Sequence, residues 1–209
     1  MLDAFLALLA GVRAETPEDA EFLYDPATAA GALRLANLER YLALIDGTDT
    51  ALVGEAPGWR GATITGVPFM SVRELAMRPG PLTADPAGDG YRVPDAPGAE
   101  WELSASVVQK ALRAWSGPPP VCWPVVPNHP FRAGDPLTNR PPRVPEVRAG
   151  APVALELLRA LRIRRVIAVG RKAEAALALA GVDAVAVRHP AQGGAGIFAR
   201  QMAALAPPR

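Results

Sequence analysis

Glu55 and His189 are, by residue type and surroundings, the side chains of this 209-residue chain best suited to move protons or meet developing charge. Glu55 lies in the word Gly54-Glu55-Ala56-Pro57-Gly58, directly after the apolar run Ala51-Leu52-Val53. His189, one of only two histidines, lies in Arg188-His189-Pro190, directly after Ala184-Val185-Ala186-Val187. In an open parallel α/β sheet, ligands bind outside the carboxyl ends of the strands, so the two words predict an acid–base site assembled from opposite ends of the chain. Glycines around Glu55 permit close backbone approach, which lets main-chain N–H groups face a ligand while the carboxylate projects into the same cleft. No Gly-Lys-Ser/Thr follows, so the word is not a Walker phosphate loop. An ordinary Gly/Pro turn has the same composition, and that reading stays open beside the chemical one.

His189 suits a donor of a hydrogen bond or proton to negative charge developing on a leaving group. Pro190 fixes the turn after it, and the run Ala191-Gln192-Gly193-Gly194-Ala195-Gly196 lets backbone approach a bulky partner such as a phosphodiester. Histidines at strand ends also serve as scaffold, so both roles stand at this point. Phe69, after Gly66-Val67-Pro68, is placed either to stack on a planar ligand or to cover the sheet. His129, in the turn Asn128-His129-Pro130, is a second catalytic candidate or a piece of scaffold.

Positioning these residues requires alternating strands and helices. Thr28 to Ile45 has Leu33, Leu35, Leu38, Leu42 and Ile45 on or near one face and stops at Asp46-Gly47, which predicts a long helix. Ala51 to Val53 reads as the first strand. Ser104 to Trp115 is helical and ends at Gly117-Pro118-Pro119-Pro120, and Val121 to Val126 is a second strand, weakened by Pro124. Further helices are expected at Val153 to Leu161, Lys172 to Ala180 and Gly196 to Leu205, with strands at Arg165 to Val169 and Ala184 to Val187. The alternation predicts an α/β fold with a four-stranded, mostly parallel sheet and helices on both faces. Met77 to Gly98 and Phe131 to Pro145 read as long surface loops, because strands of the same sheet lie beyond them.

Half of the residues are apolar, enough for one good core, so residues 1–209 are read as a single domain. No apolar run approaches the roughly 20 residues needed to span a bilayer. The opening segment Met1 to Ala10 lacks a basic start and carries Asp3, which fits an amphipathic helix rather than a signal peptide and leads us to expect a cytoplasmic protein. The lone Cys122 excludes an internal disulfide framework and a four-thiolate iron–sulfur cluster, and two histidines with one cysteine make a poor zinc set. The net charge of +1 conceals an asymmetry. Residues 1–120 hold nine Lys/Arg against sixteen Asp/Glu, a net −7, whereas residues 121–209 hold thirteen against five, a net +8. An anionic partner for the second half is one reading, and Arg-rich solvated faces are the other.

Taken together, Gly54-Glu55-Ala56-Pro57-Gly58, Gly66-Val67-Pro68-Phe69, Asn139-Arg140-Pro141-Pro142, the run Val166 to Arg171 and Arg188-His189-Pro190 resemble, in order and spacing, the uracil-DNA glycosylase superfamily. The resemblance covers about residues 50 to 200 and is greatest to bacterial branches with this first word, of which a branch free of the iron–sulfur cluster is implied by the single cysteine. It implies a three-layer α/β/α fold and a DNA glycosylase of base excision repair that uses neither metal nor cofactor. Its partner would be DNA containing a deaminated base, the protein acting as a monomer at the nucleoid. The deoxynucleotide would be flipped out of the duplex to expose its glycosidic bond. Phe69 would stack on the base, the backbone around Gly54 and Glu55 would contact its edge, and His189 would stabilise charge on uracil O2. Glu55 would orient water or stabilise the oxocarbenium-like sugar. Gln192 and Gly193 would belong to the loop that enters the minor groove, and Arg132, Arg140, Arg143 and Arg188 would meet phosphates.

One departure stands out. Where many relatives carry an Asn that reads the uracil edge, this chain has Pro124, with neither amide side chain nor N–H. Asn128, four positions on, would substitute through a rearranged loop, while Asn139 would brace the loop. Loss of a bidentate base contact is worth roughly 1–3 kcal/mol of discrimination. Absence of a lysine near the expected site, with Lys172 after a different strand and Lys110 in mid-helix, favours hydrolysis without Schiff-base lyase chemistry. The alternative reading is a weak or inactive module of the same fold that binds DNA or nucleotides.

Overall fold

Alternation of short apolar runs with helical stretches gives six strands and eight α-helices among residues 2–208, the part of the chain that the computed structural model describes. The main sheet comprises β2 (Thr50–Gly54), β3 (Val121–Pro124), β5 (Arg165–Val169) and β6 (Val185–Val187), all parallel, in the order β3-β2-β5-β6. Every residue of β2 is buried, which explains why its sequence is a continuous apolar run rather than an alternation. Ala51, Leu52 and Val53 stand opposite Val121, Cys122 and Trp123 on one side and Val166, Ile167 and Ala168 on the other.

β3 forms one edge of this sheet and ends two residues earlier than its sequence suggests. The chain nevertheless continues alongside the first word, with the N–H of Val125 donating to Gly54 O at 2.9 Å and that of Val126 to Glu55 O at 3.0 Å. Backbone groups alternate in direction along a strand. Val125 N–H turns toward β2, whereas Cys122 N–H turns away and donates to the Tyr41 hydroxyl at 2.7 Å. Position 124 therefore falls on the outward side, where proline sacrifices no ladder bond.

Helices flank the sheet. They are α1 (Asp3–Gly11), α2 (Ala29–Leu44), α5 (Leu103–Arg113), α6 (Val144–Ala160), α7 (Arg171–Leu179) and α8 (Ala195–Leu205), with α1 packed on α6 and α5 on α8. Single-turn helices α3 (Ala62–Thr65) and α4 (Val72–Leu75) interrupt the loop after the first word. The opening helix was expected from Met1, which lies outside the described residues; from Asp3 onward it buries Phe5 and Leu9. α6 begins nine residues earlier than the expected Val153, taking in Pro145 near its start and Pro152 in its interior. An interior proline loses one helical hydrogen bond, but Pro152 is exposed, so water can serve the freed carbonyl.

A two-residue ribbon completes the framework. β1 (Ala20–Glu21) pairs antiparallel with β4 (His129–Pro130), bringing Glu21 opposite His129. Phe131 N–H then donates to Asp19 O at 3.0 Å. This ribbon fastens the N-terminal segment to the 131–143 loop. Beneath it, Trp123 packs edge-on to Phe5 with centroids 5.0 Å apart and stacks on Tyr24 at 6.3 Å. No helix among the described residues is long and apolar enough to cross a membrane.

Candidate active site

Three adjacent parallel strands deliver three ionisable side chains to one edge of the sheet. β2 runs into Glu55, β5 runs through Gly170 into Lys172 on the first turn of α7, and β6 runs into His189. All three line a cavity of about 320 Å³, together with Phe69, Glu102 and Pro124. That volume lies in the range of small-molecule sites. A second cavity, about 370 Å³, opens between α5 and α8, but Lys110 is its one ionisable side chain, so acid–base chemistry belongs to the first.

Phe69 meets the cavity from an uncommon backbone conformation. Its φ is +53°, in the left-handed region that bulky residues seldom occupy, and its carbonyl accepts a hydrogen bond from Gln109 Nε2 at 3.2 Å. Such outliers persist where surrounding structure overdetermines them and cluster at functional sites. The ring lies on the bare backbone of Gly54, where a Cβ would come within 3.0 Å of its Cζ. Phe69 is half-buried, so part of its ring remains open to the cavity.

His189 is held in one tautomer. The N–H of Ala191 donates to His189 Nδ1 at 3.1 Å, so Nδ1 acts as acceptor and the ring proton resides on Nε2. Burial, then the charge of Arg188, then that of Lys172 hold its pKa below the ordinary 6.5. The consequence is a neutral imidazole with Nε2–H as its hydrogen-bond donor. Glu55 has the complementary character: burial raises its carboxyl above the ordinary range, and the charge of Lys172 opposes the rise. A raised pKa makes a carboxylate a better proton acceptor.

Lys172 overturns one expectation. Its strand follows neither word, yet β5 lies between β2 and β6, which places Lys172 in the same cavity as Glu55 and His189. The absence of a nearby lysine therefore cannot exclude a Schiff base here. Glu102 is a further residue that the sequence reading missed. It precedes α5, accepts no hydrogen bond as a helix cap, and lines the cavity near Gly58 and Gly61. Burial, with the charge of Glu74 second, pushes its carboxyl up to about 7. Lys172 carried a usable signal, since it too follows a strand end. Glu102 carried none, because it lies at the end of a long irregular loop.

The remaining expected residues separate into braces and surface groups. Asn139 accepts a hydrogen bond from Trp59 N–H at 3.1 Å, so the loop it braces is the one after the first word. His129 is fully buried outside the cavity, with Nδ1 3.0 Å from Pro57 O and Nε2 3.1 Å from Pro136 O, so it clamps the first loop to the 131–143 loop. Asn128 does not reach the cavity; its Nδ2 donates to Thr16 Oγ1 at 2.9 Å, and Pro124 remains the wall at that position. Arg140 lines the cavity, but its guanidinium donates to Glu146 at 2.7 and 2.8 Å and to Asp19 at 2.9 and 3.1 Å. Arg143 also pairs with Asp19 but remains exposed at the surface. Arginine contacts hold the Asp19 carboxyl well below the usual carboxylate range. Arg132 and Arg188 are exposed and carry no carboxylate partner among the described residues. Gln192 and Gly193 are exposed at the tip of the turn after His189, both with positive φ, +52° and +75°.

Among the described residues no cluster of three or more His, Cys, Asp or Glu is arranged to hold a metal ion. No family model matches the chain, and no curated protein matches it in sequence. Among solved structures, the chain is similar to wild-type SMUG2 of Pedobacter heparinus, with a TM-score of 0.55, 13% sequence identity and 96% of each chain covered. At that identity the likeness establishes the architecture, a uracil-DNA glycosylase-like α/β fold with a four-stranded parallel sheet flanked by helices.

Proposed function

We propose that this chain hydrolyses the N-glycosidic bond of uracil or a related deaminated base in DNA. The observation that carries the reading is the meeting, in one cavity, of an aromatic face, a neutral imidazole N–H donor and a carboxylate of raised basicity. The fold-level likeness to SMUG2 supports the same reading. A base extruded from the helix stacks on Phe69, which exposes the sugar–base bond to the cavity. The C1′–N bond breaks with its electron pair moving onto the base, and His189 Nε2–H donates to the oxygen on which that charge collects. A neutral donor is suited to this task, because it stabilises the anion without first surrendering a proton. Glu55 orients a water molecule toward C1′ and accepts its proton as the C1′–O bond forms. Lys172 acts as a cation that favours both the ionised Glu55 and the anionic leaving base. The proton taken by Glu55 then passes through solvent to the base anion, so the products are free base and an abasic site, with no covalent enzyme–DNA intermediate.

The test is incubation with single- and double-stranded oligonucleotides containing uracil, hypoxanthine or xanthine, followed by alkaline cleavage of abasic sites. Strand cleavage is expected, with a His189→Ala variant at least about 100-fold slower, in the range found for removal of one oxyanion donor. Failure to release any of the three bases refutes the proposal. Borohydride added during turnover is expected to trap nothing; a trapped protein–DNA adduct that disappears in Lys172→Met would replace hydrolysis by lyase chemistry. A non-catalytic binding module is the second reading, favoured by Pro124 at the wall where a base-reading amide is expected. Salt-dependent DNA binding without base release would select it.

A further inference from the structure

The polar side chains around the cavity are not equally available to a ligand. Asn139 Oδ1 accepts from Trp59, the Arg140 guanidinium is taken up by Asp19 and Glu146, and His189 Nδ1 is occupied by Ala191 N–H. Glu102 differs. Its carboxylate makes no hydrogen bond to any described residue, although it is half-buried and stands at the N-cap position of α5, where a carboxylate commonly accepts from the helix. Instead it turns back against the first loop. A Cβ on Gly61 would come within 2.2 Å of Glu102 Oε2, and one on Gly58 within 3.4 Å of Oε1, so those two positions leave the carboxylate room.

Position in the fold divides the lining of the cavity into two ends. Glu55, Lys172 and His189 follow the ends of the adjacent strands β2, β5 and β6, whereas Glu102 precedes α5 and lies against Gly58 and Gly61. If the glycosidic bond lies at the first end, the hydrogen-bonding edge across the base ring faces the second. We propose that Glu102 reads that edge, as the residue that determines which bases the cavity accepts.

This inference rests on the glycosylase reading. In deaminated bases the edge carries a ring N–H beside a carbonyl, N3–H and O4 in uracil and N1–H and O6 in hypoxanthine. A protonated carboxyl pairs with both: its carbonyl accepts from the N–H while its hydroxyl donates to the base oxygen. A glutamine amide pairs in the same way, with Oε1 accepting and Nε2 donating. An ionised carboxylate keeps the first contact but sets negative charge against the base oxygen. The charge of Glu74 on α4 acts on Glu102, and Glu55, Arg140, Lys172 and His189 share its cavity, so each bears on its ionisation. Because uracil and hypoxanthine present the same pair of groups, the cavity accepts both.

The experiment compares wild type, Glu102→Gln and Glu102→Ala in single-turnover release of uracil and of hypoxanthine from oligonucleotides at pH 6.5 and 8.5. Glu102→Ala is expected to lose about 10- to 100-fold, the worth of a bidentate base contact, while Glu102→Gln stays within about fivefold of wild type at pH 6.5. The rate ratio of wild type to Glu102→Gln should fall between pH 6.5 and 8.5, because only the carboxyl ionises. An alanine variant as active as wild type on both bases overturns the inference and leaves the glycosylase reading intact. So does a folded glutamine variant no better than alanine. Absence of base release by wild type overturns the glycosylase reading, and this inference with it.

Discussion

Replacing Gly194 with alanine is expected to slow base release about 100-fold while leaving the fold in place. Gly194 has φ −79° and ψ −9°, ordinary right-handed values that alanine adopts freely, so the substitution introduces bulk without backbone strain. The added Cβ would stand 2.0 Å from His189 O and 3.0 Å from Ala191 O. Carbon–oxygen contacts settle near 3.3 Å or beyond, so the turn that carries His189 must move by more than about 1 Å. The N–H of Ala191 that fixes the imidazole tautomer belongs to the same turn and moves with it. A displacement of about 1 Å at a catalytic group can cost about 100-fold, or roughly 2.7 kcal/mol of barrier. Overpacking should also lower stability by about 1–3 kcal/mol, which thermal melts would register as a shifted but cooperative transition. The assay is single-turnover release of uracil with protein in excess, which removes product release from the measured rate. Gly196→Ala is the control, since its Cβ would meet nothing closer than Arg200 Nη1 at 3.7 Å. A Gly194→Ala protein with a native circular dichroism spectrum and a rate within threefold of wild type would refute the placement of His189 at the reacting bond.

Lys172→Met removes the third of the causes that hold the His189 pKa below 6.5, so its titration, followed by NMR of the ring Cε1 proton, should move to higher pH. The acid limb of base release should move up with it; an unmoved titration would place Lys172 too far away to act. A lowered native pKa means that the unfolded chain binds the proton more tightly, so this histidine's effect on stability appears as the pH falls below 6.5. Arg188→Gln should weaken DNA binding and reduce the logarithmic salt slope by about 1, whereas Arg140→Gln should lower the melting temperature and leave that slope nearly unchanged. Equal effects on the slope would contradict the commitment of Arg140 to its two carboxylates. Asp19→Asn should destabilise the protein at neutral pH. Because the native Asp19 pKa is depressed, the difference from wild type is full above the ordinary 3.8 and shrinks as the pH drops through the lower native value. A difference independent of pH between 5 and 2 would show that the arginine contacts do not depend on the Asp19 charge.

The main sheet was readable because its strands are short apolar runs bounded by glycine, proline or charge. The long helix α2 was equally plain from its leucine spacing. Elsewhere the local signal conflicted with the fold. Pro145, Gly150 and Pro152 made the first half of α6 look like loop, although Gly150 lets the helix approach Val125 O, to which a Cβ would come within 2.5 Å. Two-residue strands such as β1 and β4 are too short to show a period at all. Within the candidate site, Glu55 and His189 were legible because each belongs to a compact word at the end of a strand, and Phe69 because it closes the turn Gly66-Val67-Pro68. Arg140 was not, because its partner Asp19 lies 121 residues earlier in the chain. The same distance problem disguised His129, whose scaffold role depends on a carbonyl 72 residues away.

The outward side of β3 bears on what a change at position 124 would cost. An open sheet edge normally offers a row of N–H donors to any passing strand, and natural proteins blunt such edges to avoid adding another chain. Here Cys122 N–H is already committed to the Tyr41 hydroxyl, and Pro124 has no hydrogen to offer. Along Val121–Pro124 the outward-facing edge is thus left without a free donor. Because every residue of β3 is buried, substituting an ordinary residue for Pro124 in search of a better base contact would leave an N–H donor enclosed without a partner, coupling any attempt to retune the pocket to a cost of about 1–3 kcal/mol in stability.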